Sequence, residues 1–513
     1  MSQQALPDTS TRDRARAMAV RVAVEALDAW ADRVRREHQE HEHRQLAQGA
    51  GRLAVRANEG RANGGRVDGG RADDARTGGG PVTPASSERP VVPASSERPV
   101  APAPSERPVA PDPSERPVTP SPPDPAHLEH PGDPGVPVLA RLLAEVGGPD
   151  ERAVAARATA VWVRGAGRGP GHLGLYDGGL SGTLVGLRAS AALHPGVGGV
   201  ADRLHERLLD RPVGEPRRYG AVTFPDYDLI LGPAGTLLAL TTEGPEAGPR
   251  GGTEAGPGAG PGKAERACEL APFAAHLAAL CDAAELPGLR AHYPGHALLG
   301  WLHGRINTGM GHGVAGVASA LSAAVRRLGP RPELAGALVH ICHWLRRESY
   351  EDARDIRTWS GAGLDDAPLL AGADARQAWC YGTPGVAWAL WDAADALGDG
   401  ETAGWAADAF TSLADGYHEG FHLFGDHPGD RLGLCHGAAG VLAVADAFHR
   451  HAALSAATEL RARMLRHLLA AEDELRALGR ERTGLLTGVG GALAAVLTST
   501  GASGTWLPCL GLR

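Results

Sequence analysis

A Gly-x-x-Gly turn followed by an apolar helical run recurs six times after Val138. It stands in GLYDGGLSGTLVGL, DLILGPAGTLLAL, GMGHGVAGVASAL, WCYGTPGVAWAL, LCHGAAGVLAVA and GLLTGVGGALAAVL, with first glycines Gly179, Gly232, Gly313, Gly382, Gly437 and Gly488. Successive first glycines lie 51 to 81 residues apart. Each interval holds two antiparallel helices and their connections, so the repeating unit is a helical hairpin. Hydrophobic residues make up 43% of the chain but aromatics only 4%. Ala and Leu must therefore fill most of the core, which favours helices that approach closely. Six hairpins make either an open solenoid or a ring. Small residues after each turn suit crowded inner helices, and motifs spread over four repeats converge only in a ring. The expected fold is all-α, a six-hairpin α/α toroid with Gly-rich helix starts around one mouth.

The rest of the chain reads differently. Residues 12–45 are rich in Ala, Arg and Glu, with Met18, Val22, Leu27, Trp30 and Val34 near helical spacing. This predicts an N-terminal amphipathic helix over 1–45, either docked on the main domain or binding a separate partner. Within 46–137, Glu88, Glu97, Glu106 and Glu115 recur every nine residues inside copies of PxxSERPV. Each copy balances Glu against Arg, is punctuated by Pro and has little to bury, so a disordered linker is expected. Residues 138–513 form the toroid, with Glu243–Lys263 as a loose Gly/Pro-rich surface insertion.

The totals exclude several function classes. A net charge of −9 argues against nucleic-acid binding. Six cysteines among 513 residues do not make a disulfide framework. The N-terminus has no apolar signal core and no uncharged apolar run reaches membrane length, so a cytoplasmic protein without a membrane span is expected.

Chemistry concentrates between Arg376 and Val441. Cys380 opens one glycine turn, and Cys435 with His436 opens the next. Two thiolates and an imidazole suit tetrahedral zinc, and three protein ligands leave a fourth position open, as in catalytic sites. Both motifs precede helix starts, where the positive end of the macrodipole favours thiolate. A rival motif is HEGFH, His418–His422, the HExxH pattern of zinc proteases, in which two histidines sit one turn apart with Glu as base. Gly420 weakens that helix, and His427 follows Gly425 one residue too early for the longer metzincin pattern.

The GHG, WCYG and CHG elements, in this order and repeat frame, resemble the lanthionine synthetase C-like family from about Val138 onward. The resemblance implies zinc on Cys380, Cys435 and His436. It assigns proton transfer to His312 in GMGHGVAG and the catalytic aspartate to Asp228 in YDLILG. It also carries Arg376 and Tyr381, which flank the first zinc cysteine, into the site. The implied reaction is addition of a peptide Cys thiol across dehydroalanine or dehydrobutyrine, forming (methyl)lanthionine rings. The implied partner is a dehydrated precursor peptide. No region is large enough for a fused dehydratase or kinase, so a separate dehydratase is expected, with the protein acting as a monomer. The alternative within the same family is a zinc and small-thiol (glutathione-like) binding protein without turnover. Cys268, Cys281, Cys342 and Cys509 read as small buried hydrophobes.

Overall fold

All six first glycines are helix N-caps in the computed structural model. They precede the helices Leu180–Ala191, Pro233–Thr241, Val314–Leu328, Thr383–Leu397, Ala438–His451 and Val489–Ser499. The structure describes residues 9–62, 130–169, 171–211, 213, 221–242, 269–365 and 376–513. The Ser/Glu/Arg/Pro repeats, the Glu243–Lys263 insertion and Cys268 lie outside the described residues. Residues 1–39 and 126–513 form one compact unit, and 40–125 a second, in which the described part is helix up to Ala62.

The second glycine of each turn is required by close approach rather than by its dihedral angles. A β-carbon at Gly182, Gly235, Gly316, Gly385, Gly440 or Gly491 would lie 1.8 to 2.3 Å from the carbonyl oxygen six or seven residues upstream. The turn thus folds back on its own helix start, leaving no room for a side chain. Gly440→Ala, which meets the Leu434 oxygen at 2.0 Å, is expected to destabilise the protein by about 1–3 kcal/mol. Calorimetry should record this as a Tm several degrees lower than wild type.

The inner helices form a closed ring, and the fold is an α/α toroid. Among the described residues the ring has seven members, not the expected six. The extra one, Gly135–Val146, contacts both Val489–Ser499 and Leu180–Ala191 and closes the circle. It too has the repeat signal, Gly132-Asp-Pro-Gly135, but within residues whose composition suggested a linker. Its start is tied to the last turn, since Asp133 Oδ1 accepts from Leu485 N at 2.9 Å. A β-carbon on Gly135 would lie 2.4 Å from the Thr483 oxygen. The toroid therefore begins before residue 138.

Outer helices Pro149–Gly165, Gly198–Leu209, Ala271–Leu280, Pro332–Arg347, Gly400–Gly416 and Ser455–Ala470 cover the ring. The N-terminal helix is also an outer helix, which settles the choice that the sequence left open. Met18, Val22, Leu27 and Trp30 are buried in the core, with Val34 packed against it. Arg21 pairs with Glu472, and Arg12 donates to the Thr500 carbonyl. This helix, Thr9–Ala62, continues beyond the expected end at 45. No described helix is long and apolar enough to cross a membrane.

The segment Leu507–Leu512 fills the ring from within and is buried except at Pro508. Three aromatic donors hold its carbonyls: Trp379 Nε1 on Leu510 at 2.8 Å, Trp388 Nε1 on Gly511 at 2.9 Å and Tyr176 Oη on Cys509 at 2.8 Å. Burying indoles and phenols this deeply requires such partners. Trp379 also immediately precedes the first candidate metal ligand, so this core segment anchors the backbone of the site.

Candidate metal centre and active site

The glycine turns hydrogen-bond to one another around the mouth. Tyr176 N donates to Ile230 O, Leu229 N to Gly311 O, Met310 N to Cys380 O, Cys380 N to Cys435 O, and Cys435 N to Leu486 O. This chain of backbone bonds brings residues from four repeats to one place. Cys380, Cys435 and His436 converge so that one ligand atom from each lies within 4.8 Å of the others. Among the described residues they are the one group of three or more His, Cys, Asp or Glu able to hold a metal ion.

The electrostatics of this trio suit a cation. Burial pushes the Cys380 thiol well up, and its S–H bonds to Cys435. That bond, followed by the charge of His436, holds Cys435 well below the ordinary thiol range. The Cys435 charge in turn raises His436 to about 9. Asp430 Oδ1 stands 3.7 Å from His436 Nδ1, and this carboxyl is held below its ordinary range chiefly by that imidazole. A carboxylate behind a ligating histidine is a recurrent way of fixing ring orientation at metal sites. Soft sulfur and borderline nitrogen, converging at helix starts with one thiol pushed toward its anion, fit a zinc ion.

Beside the trio stands a His–Asp pair. His312 Nδ1–H donates to Asp228 Oδ2 at 2.6 Å. Asp228 is fully buried, and its Oδ1 accepts from the Leu231 and Gly232 amides at 2.7 and 2.8 Å. Burial alone pushes the Asp228 carboxyl up, while His312 and the two amides work against that push. Burial also acts to lower His312, but the Asp228 bond and charge outweigh it and raise the imidazole above its ordinary value. The ring stacks on Phe224 at 4.3 Å between centroids. With Nδ1 committed to Asp228, Nε2 is the nitrogen available to a reactant. The thiolate of Cys435 also raises His312, which links the pair electrostatically to the trio.

Arg376 and Tyr381 flank the candidate metal ligands. The Arg376 guanidinium stacks on the Phe424 ring at 4.0 Å, and its buried Nη1 has no hydrogen-bond partner among the described residues. Its charge acts on Cys380, Asp430 and His436. The Tyr381 hydroxyl accepts from Asn307 Nδ2 at 3.0 Å. All seven residues named from sequence thus lie in one neighbourhood. Sequence reasoning missed Phe224, Asn307 and Asp430. Asp430 precedes His436 by six residues and Asn307 precedes His312 by five, but neither spacing has a signature without the turn geometry.

The HEGFH segment does not assemble as a protease site. Glu419–His422 is a single helical turn, and Glu419 pairs with Arg463 at 2.9 Å. His422 Nδ1 accepts from the backbone of His418 at 3.0 Å, and burial drives its pKa down to about 4. A Glu neutralised by Arg cannot serve readily as a general base. Cys281, Cys342 and Cys509 are free and buried, as expected.

Comparison with known proteins agrees with this geometry. The family model described as lanthionine synthetase C-like protein matches residues 296–506, a stretch that contains six of the seven residues named from sequence, all but Asp228. Among solved structures, nisin cyclase is similar with a TM-score of 0.55 at 19% identity, over 74% of this chain and 90% of that one. No curated protein matches the chain.

Proposed function

We propose that this chain, matched over 296–506 to lanthionine synthetase C-like proteins, is a zinc-dependent lanthipeptide cyclase. It joins peptide cysteines to dehydroalanine or dehydrobutyrine as thioethers. The observation that carries the reading is the convergence of Cys380, Cys435 and His436 beside the Asp228–His312 pair at one mouth. Zinc held by the trio, with a fourth position open, would supply a thiolate from a peptide thiol whose ordinary pKa is ~8.5.

The chain's own residues account for the remaining steps. As the sulfur bonds to the β-carbon, the double-bond electrons pass to the carbonyl as an enolate, and the α-carbon then takes a proton. His312 presents Nε2 as the donor, and Asp228 favours the charged imidazole and orients it. Arg376 sets a positive charge beside the ligands, suited to the enolate oxygen. Asn307 holds the Tyr381 hydroxyl at the rim of the site. Dehydroamino acids form when Ser or Thr side chains lose water, a reaction that a separate dehydratase supplies.

The addition conserves mass and consumes a thiol. Zinc-loaded protein incubated with a synthetic peptide containing one cysteine and one dehydroalanine should therefore yield a product of unchanged mass that no longer alkylates. A protein that holds zinc and a small thiol yet leaves this peptide alkylatable would be a binding module instead.

A further inference from the structure

Among the described residues four large hydrophobic side chains are exposed, and two of them, Leu298 and Trp301, share one loop. They are 60% and 51% exposed. The loop is held in shape. Ala291 N donates to Arg305 O at 2.9 Å and Gly304 N to Ala291 O at 2.8 Å, closing its base. His296 Nδ1 accepts from the Leu298 and Leu299 amides, which fixes the tip. Tyr293 ties the loop to the active site, because its hydroxyl accepts from Phe224 N at 2.8 Å and Phe224 stacks on His312.

The loop also meets the other side of the site at Gly361. A β-carbon there would lie 3.4 Å from Trp301 Cη2 and 3.8 Å from Tyr381 Cε1. Those are ordinary contact distances, so one carbon placed over Gly361 would touch both the indole and the phenol. Tyr381 follows the metal ligand Cys380 directly in the chain.

From this we infer that the position over Gly361, where one carbon would touch both Trp301 and Tyr381, is a specificity subsite, a slot between the two rings. It receives an apolar side chain next to the reacting cysteine of the peptide. The inference rests on the cyclase reading: a peptide whose sulfur lies at Cys380, Cys435 and His436 brings its neighbouring residues close to Tyr381, which follows Cys380 directly. Exposed indole and leucine beside a gap bounded by rings favour an aliphatic or aromatic occupant over a polar one.

Two fluorescein-labelled decapeptides test it, each with one cysteine and with alanine in place of the dehydroamino acid. One flanks the cysteine with Leu and Phe, the other with Ser and Asn. Fluorescence anisotropy with zinc-loaded full-length protein should show the apolar peptide binding about tenfold tighter. Trp301→Ala should erase that preference by removing a wall, and Gly361→Val by filling the slot. Zinc content in both variants should stay at the wild-type level, which separates slot loss from collapse of the site. Equal binding of the two peptides by wild type overturns the subsite, as does a preference that survives both variants. If dehydroalanine peptides cyclise equally well with either flank, the subsite fails while the cyclase stands. If the preference depends on Trp301 but no dehydropeptide cyclises, the cyclase reading fails and takes the substrate assignment with it.

Discussion

Cys435→Ala is expected to remove zinc and ring closure together. Cys435 is the residue on which the charge of the site turns: it accepts from the Cys380 thiol, and its charge is the largest influence on His436. Alanine there deletes the thiolate, leaves two ligands and lets His436 fall back toward its ordinary pKa. Elemental analysis should find zinc reduced from about one per chain to near background. Thiol consumption in the dehydropeptide assay should fall by ~10³-fold or more, since metal stabilisation of charge supplies several kcal/mol. Helix content should be retained, because the Cys380 and Cys435 amides bond through the backbone and do not need the side chain. Normal cyclisation by this variant would rule out the mechanism.

Asp228→Asn should separate proton transfer from metal binding. The amide oxygen can still accept from Leu231 and Gly232, so the turn survives. What disappears is the charge opposite His312 Nδ1. Zinc should remain at the wild-type level while the cyclisation rate falls by ~10²-fold, a common share for a positioned general acid. The pH profile gives a second readout. Asp228 raises the His312 pKa, so in the wild type the proton-donating imidazolium persists to higher pH than for a free histidine. In the variant that pKa drops, and the alkaline fall in rate should move to lower pH. An unmoved profile would mean that His312 is not the donor whose titration limits the rate.

Much of this was legible in sequence because glycine and cysteine leave few substitutes. The second glycine of each turn meets a carbonyl oxygen at distances that no β-carbon tolerates, so the repeat survives as a visible spacing. Ligand types that zinc prefers stood out at Cys380, Cys435 and His436 for the same reason. The seventh inner helix was missed because Gly132 and Gly135 lie next to a Pro-rich tract whose composition masked them. The segment Leu507–Leu512 carries no signal of its plugging role, since three aromatic donors from distant repeats define it.

Sequence by itself therefore determined the all-helical hairpin repeat, the position of six inner helix starts and the residues of the Cys380, Cys435 and His436 cluster. All are local properties, set by the reach of a turn and by the donor atoms of single side chains. Tertiary structure alone decided the number of ring members, the docking of the N-terminal helix and the pairing of His312 with Asp228 across 84 residues. It also decided that Glu419 is neutralised by Arg463 instead of acting as a base. Those outcomes depend on how turns far apart in the chain bond to one another and on which faces remain to be covered when the ring closes.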